Sequence, residues 1–153
     1  MKTCAGLFAT LLLACLSFSG QEPASNPWSS SELMEPSGLA QAIQSGKAPM
    51  ILSVAFPVLY RGKHIVHAIN AGPASKPDGI EALKTAVANL PKDADLVIYC
   101  GCCPMVKCPN IRPAYRTLKE LGFTHIRVLN LSTNFHTDWV SKGYPSESAP
   151  SSH

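Results

Sequence analysis

Four of the six cysteines lie within nine residues, from Cys100 to Cys108, and they follow directly on the apolar run Leu96–Tyr99. A thiol placed after a strand and before a helix faces backbone N–H groups and the positive end of the helix dipole. Such turns serve as nucleophile and anion sites. The cluster therefore predicts a strand–loop–helix unit with sulfur chemistry in its loop.

Apolar runs alternate with helical patterns along the rest of the chain. The sequence predicts strands at 50–56, 65–70, 95–99 and 126–131, and helices at 36–46, 77–90, 110–121 and 135–140. Alternating strands and helices predict an α/β fold with a mostly parallel central sheet and helices on both faces. Ligands of such folds bind beyond the carboxyl ends of the strands, and Cys100 lies at one of these ends.

Length and charge restrict the organisation further. The chain has 153 residues and a net charge of +3, with 15% charged residues, so we expect one domain and no nucleic-acid partner. The pattern places a polar linker at 21–27, the domain at 28–146 and a disordered tail at 147–153.

Residues 1–20 have the build of a bacterial export signal, with one early lysine followed by an apolar stretch. Two processing routes remain open. The sequence ending in Cys15 resembles a lipobox, which gives a lipid-anchored protein, while Ser17 and Ser19 suit ordinary cleavage. We expect an exported protein, soluble in the periplasm or attached to the membrane only through the lipid. Disulfides persist there, so free loop thiols would need a periplasmic thiol reductant.

Several motifs, in order, resemble a single rhodanese-like domain across 28–146. They are Trp28 and the helix after it, the segment 63–70, Ile98-Tyr99-Cys100, Leu118-x-x-x-Gly122-Phe123 and Trp139-x-x-x-Gly143-Tyr144-Pro145. The resemblance implies a sulfurtransferase like the thiosulfate enzymes, working without a cofactor. Cys100 would attack a small sulfur-containing anion, become a persulfide and pass the outer sulfur to a thiol or cyanide.

The sequence also departs from the family pattern. The cysteine loop is longer than usual, and no arginine stands at C-x5-R spacing from any cysteine. Ser53 and Ala55 replace the usual Asp and Arg of the first strand, and Asn134-Phe135 replaces a glycine pair. The longer loop and the missing arginine argue against the phosphatase variant of the fold and against a phosphate-type cradle.

The other loop cysteines leave three alternatives open. Cys102, Cys103 or Cys108 could resolve a Cys100 persulfide by forming a disulfide. Alternatively, all four thiolates could bind a soft metal, in a non-catalytic module that binds the metal or a protein partner through the loop. A disulfide that merely pins the loop is the third alternative. Lys107 and Arg112 are candidates for binding an anionic substrate. His64 and His67 stand at H-x-x-H spacing, but residues i and i+3 of a strand face opposite sides, which disfavours a shared metal.

Overall fold

A computed structural model describes residues 25–149 of the chain. The predicted export signal, the lipobox at Cys15, most of the linker and residues 150–153 lie outside this range. Within the described range, none of the helices combines the length and the apolar character needed to cross a bilayer.

A five-stranded sheet forms the centre of the described domain, with parallel pairing between all neighbouring strands. Its order is β1-β6-β5-β2-β4. The strands are β1 (Leu33–Met34), β2 (Met50–Ser53), β4 (Ile69–Asn70), β5 (Leu96–Tyr99) and β6 (Ile126–Leu129). Strand β5 is central and buried along its whole length. The carboxyl end of a central parallel strand is where Cys100 was expected, and the predicted fold class is confirmed.

Helices cover both faces of this sheet. They are α1 (Pro36–Gln44), α2 (Pro57–Gly62), α3 (Pro77–Val87), α4 (Ile111–Glu120) and α5 (Phe135–Asp138), with 3-10 turns at Ser30–Glu32, Met105–Lys107 and Val140–Lys142. Side chains of β5 alternate between two apolar clusters because successive strand residues point to opposite faces. Leu96, Ile98 and Cys100 join the cluster of α3 and α4, whereas Val97 and Tyr99 pack with α1 and Trp139.

The run 65–70 is not the single strand that its composition predicts. His67 has a positive φ of 63°, which bends the chain and divides the run into β3 (His64–Ile65) and β4. The assumption that His64 and His67 share one strand is therefore wrong. His64 is buried, and its Nδ1 lies 2.7 Å from the carbonyl oxygen of Tyr60, with the two rings stacked.

The segment after Pro145 forms a strand, β7 (Ser146–Glu147), which pairs antiparallel with β3. The N–H of His67 donates to Glu147 Oε1 at 2.9 Å, and the N–H of Ala149 donates to the carbonyl of Arg61. The tail predicted to be disordered from 147 is therefore ordered as far as Ala149, because β3 pairs with β7 and Arg61 of α2 accepts from Ala149.

Candidate functional site

The cysteine loop runs from the end of β5 to the start of α4 and is fixed to its neighbours at two points. The N–H of Phe135 donates to the carbonyl of Gly101 at 3.1 Å, and the N–H of Met105 donates to the carbonyl of Leu131 at 2.8 Å. Gly101 has a φ of +82°, and a Cβ there would lie 2.6 Å from the Cβ of Phe135. Only glycine allows the turn to approach α5 this closely.

The loop brings the four sulfurs together as free thiols. Cys102 Sγ lies 3.4 Å from Cys100 Sγ, 3.1 Å from Cys103 Sγ and 3.9 Å from Cys108 Sγ. The sulfurs of Cys100, Cys102 and Cys108 all lie within 4.8 Å of one another, and Cys103 is not part of that group. Cys100 and Cys108 are buried, whereas Cys102 is exposed.

Asn110 completes the surroundings of the first thiol. Its amide Nδ2 donates to Cys100 Sγ at 3.3 Å, and its Oδ1 accepts from the N–H of Ser75 at 2.9 Å. The residue is fully buried and makes no side-chain cap on α4, although it precedes the helix. Sequence reasoning gave Asn110 only the role of helix cap. The position of Asn110 directly before α4 suggests a cap, whereas its actual partner Ser75 lies 35 positions away and leaves no local sign in the sequence.

Hydrogen bonds lower the pKa of the Cys100 thiol to about 6, against the opposing effect of burial. The largest contribution comes from the thiol of Cys108, and the backbone N–H of Cys102 and the amide of Asn110 add to it. Burial raises the pKa of Cys102 to about 12, and donation to Cys100 strongly raises that of Cys108. One ionised sulfur is therefore surrounded by protonated ones.

This environment differs from the converging backbone amides that the sequence predicts. The backbone contributes the N–H of Cys102 to the Cys100 sulfur, and side chains of the loop and of Asn110 contribute the remaining hydrogen bonds. The start of α4 adds the positive end of its dipole nearby. The thiolate is consequently stabilised mainly by side chains.

A pocket of about 440 Å³ opens beside the loop. Apolar side chains of α2 and of the α5 region form much of its wall, with Lys63 and His136 among the polar members. Its lining residues are Ser53, Ala55, Val58, Leu59, Tyr60, Gly62, Lys63, Tyr99, Cys100, Gly101, Cys102, Asn134, Phe135, His136 and Val140. No pattern in the sequence identifies α2 as a wall of the site.

Lys107 and Arg112, the predicted anion-binding residues, are not among the residues that line this pocket. Lys107 is exposed. The guanidinium of Arg112 donates to the carbonyl of Val106 and to Asn26 Oδ1, both at 2.7 Å, and lies 5.9 Å from the ring of Trp28. Arg112 thus connects the loop to the start of the domain.

Comparison with known proteins gives one family. The model of the rhodanese-like domain matches residues 35–134. The sequence matches no curated protein.

Solved structures with this fold share low identity with the chain. A rhodanese-like domain from Anabaena sp is 24% identical with a TM-score of 0.56, covering 76% of this chain and 79% of that one. A protein from Bacillus halodurans is 21% identical with a TM-score of 0.60, covering 77% of each chain. A thiosulfate sulfurtransferase from Pseudomonas aeruginosa is 24% identical with a TM-score of 0.55; the match covers 78% of this chain but 20% of that enzyme.

Proposed function

Because this chain belongs to the rhodanese-like domain family, we propose that it transfers sulfur through a persulfide on Cys100. One observation carries the proposal: the Cys100 sulfur lies at the end of the central strand, held by Asn110 and by the N–H of Cys102, and Cys100 lines the pocket of about 440 Å³. A thiolate is the form of cysteine that attacks sulfur. Hydrogen bonds to the anion favour this form.

The first step loads the cysteine without any oxidant. The Cys100 thiolate attacks the sulfane sulfur of the donor, forming a new S–S bond. The bond between that sulfur and the rest of the donor breaks, and the leaving group keeps the electron pair. With thiosulfate, for example, sulfite leaves. The hydrogen-bond donors around Cys100 then stabilise the persulfide anion as they stabilise the thiolate.

The outer sulfur then has two routes out of the site. An acceptor thiolate from solution can attack it, which restores the Cys100 thiolate. Cys102, whose sulfur lies 3.4 Å away, can instead attack the inner sulfur. This forms a Cys100–Cys102 disulfide and releases hydrosulfide, and an external thiol reductant must then reopen the loop. Cys108 also faces Cys100, but it is buried, whereas Cys102 is exposed and its proton can leave with the hydrosulfide.

The pocket beside the loop favours an organic thiol as acceptor over a small inorganic anion. Val58, Leu59, Phe135 and Val140 give it an apolar wall, and Lys63 is the lysine among its lining residues. Apolar surface contributes to binding by leaving water, whereas a compact dianion would need several donors or cations. We place the acceptor thiol against α2.

Export of the protein is part of the proposal and rests on residues 1–20 of the sequence. Fractionation of cells should recover the protein outside the cytoplasm. A Cys15→Ser substitution should release it from membranes if Cys15 carries the lipid, and should have no effect if cleavage follows Ser19.

The function is tested with two matched variants of the reduced protein. Incubation with thiosulfate should add one sulfur to the intact mass, and cyanide should remove it. Cys100→Ser should abolish this gain, and Cys103→Ser should retain it. If Cys100→Ser still acquires cyanide-labile sulfur, Cys100 is the wrong nucleophile.

A further inference from the structure

We propose that Cys100, Cys102 and Cys108 form a three-sulfur site that binds one copper(I) ion. The inference is independent of sulfur transfer, since it requires only that the three thiols meet on one ion. It differs from the four-cysteine ligand set considered from the sequence, because Cys103 stands outside the group.

The distances between the sulfurs fit a single ion. Three thiolates at about 2.3 Å from one metal, the zinc–thiolate distance, lie about 4 Å apart when the arrangement is trigonal. The observed separations are 3.4 Å between Cys100 and Cys102 and 3.9 Å between Cys102 and Cys108, and the third pair lies within 4.8 Å. These separations lie close to the spacing of about 4 Å that one trigonal ion requires.

The chemistry of the surroundings selects a soft monovalent ion. Thiolates select soft ions such as copper(I) and zinc, and a structural zinc site takes four ligands where this group supplies three. Behind the sulfurs, a narrow cavity is lined by Cys100, Cys103, Met105 and Cys108 together with apolar side chains of α4 and the β6 region. This side of the site is thus poor in hard oxygen ligands.

Binding changes no oxidation state. Each thiol that coordinates releases its proton to solvent, and three thiolates with one copper(I) leave a net negative charge. The amide of Asn110, the N–H of Cys102 and the first turn of α4 face this charge and reduce its cost. Because Cys100 is shared, an occupied site excludes a persulfide.

The test uses the reduced protein under anaerobic conditions, with copper(I) delivered from a chromogenic chelator of known affinity. We expect one ion per chain, and X-ray absorption should show three sulfurs at about 2.3 Å. Cys102→Ser and Cys108→Ser should each weaken binding by about 100-fold or more, since loss of a ligand exceeds the effect of losing an outer partner. Cys103→Ser is the matched control and should bind like the unsubstituted protein.

A second measurement needs no substitution and so does not depend on the variants folding. Bound copper(I) should protect Cys100, Cys102 and Cys108 from alkylation and leave Cys103 reactive, as mapped by mass spectrometry. The proposal is overturned if the protein fails to take up one equivalent against the chelator, or if Cys103 is protected or required to the same extent. Sulfur loading by thiosulfate, measured separately on copper-free protein, is unaffected by either result.

Discussion

The side-chain amide of Asn110 donates to the sulfur of Cys100 across 3.3 Å, although the two residues stand ten positions apart. The same side chain accepts from the N–H of Ser75, so Asn110 connects the cysteine loop to the segment before α3. Because its oxygen is occupied by a donor, its nitrogen is the atom turned toward the sulfur. The orientation favours a negative charge on Cys100.

Asn110→Ala removes this donor and should raise the pKa of Cys100. A hydrogen bond to a charged group is worth about 1.5 kcal/mol or more, which corresponds to roughly one pKa unit. The pH dependence of iodoacetamide labelling at Cys100, mapped by mass spectrometry, measures the shift. Asn130→Ala is the control, since Asn130 bonds to Glu35 away from the loop. Equal labelling midpoints in both variants would mean that Asn110 does not stabilise the Cys100 thiolate.

The pKa of about 6 predicts how the reactivity of Cys100 depends on pH. Labelling of reduced, metal-free protein should be slow below pH 6, rise through it and level off near pH 7, because only the thiolate reacts. An ordinary cysteine would still be rising at about pH 8.5. Cys108→Ala, which removes the donor with the largest effect on the pKa of Cys100, should move the midpoint upward. Labelling of Cys100 that first rises near pH 8.5 would contradict the hydrogen-bonding scheme.

Gly101→Ala should destabilise the domain more than Gly122→Ala. Both glycines have φ above +80°, and the left-handed backbone alone costs alanine about 1–2 kcal/mol. At Gly122 nothing lies within 4 Å of the added Cβ, whereas at Gly101 it meets Phe135, and overpacking adds about 1–3 kcal/mol. Urea unfolding compares the two free energies. Similar values would mean that the loop moves away from α5 without cost.

Arg112→Ala should lower stability and leave sulfur loading unchanged. Its guanidinium holds Val106 and Asn26, so its loss should cost about 1 kcal/mol, which is typical of point substitutions. Thermal unfolding and thiosulfate loading are measured on the same sample. A large fall in loading without a loss of stability would mean that Arg112 binds the substrate.

Lys63→Ala changes the wall of the pocket and should slow the transfer of sulfur to bulky thiols.

The sequence predicts the three inner strands β2, β5 and β6 and the position of Cys100, because these depend on local patterns, whereas it misses the edge strand β1. The run Leu96–Tyr99 is apolar throughout, as a strand covered on both faces requires, and Cys100 follows it directly. Helix periodicity similarly located α3 and α4, although α3 ends at Val87 instead of 90 and α4 ends at Glu120 instead of 121.

Features that depend on distant partners could not be predicted in this way. The two-residue strands β3 and β7 are too short to show a period, and their pairing joins segments about 80 positions apart. Asn110 has the residue type and the position of a helix cap, but its side-chain oxygen accepts from the N–H of Ser75 instead. Arg112 lies at the start of the helix predicted at 110–121, but its partners Asn26 and Val106 come from folding rather than from local pattern.

The pairing of β3 with β7 has a consequence for biosynthesis. The segment that includes α2 and β3 is held by Glu147 and Ala149, which follow the four thiols along the chain and, in the proposed export, cross the membrane after them. Contacts between distant segments also form late in folding. The newly exported chain therefore passes through a period in which its cysteines are present before α2 covers them, and oxidants of the periplasm would most easily join them in the wrong pairs during that period.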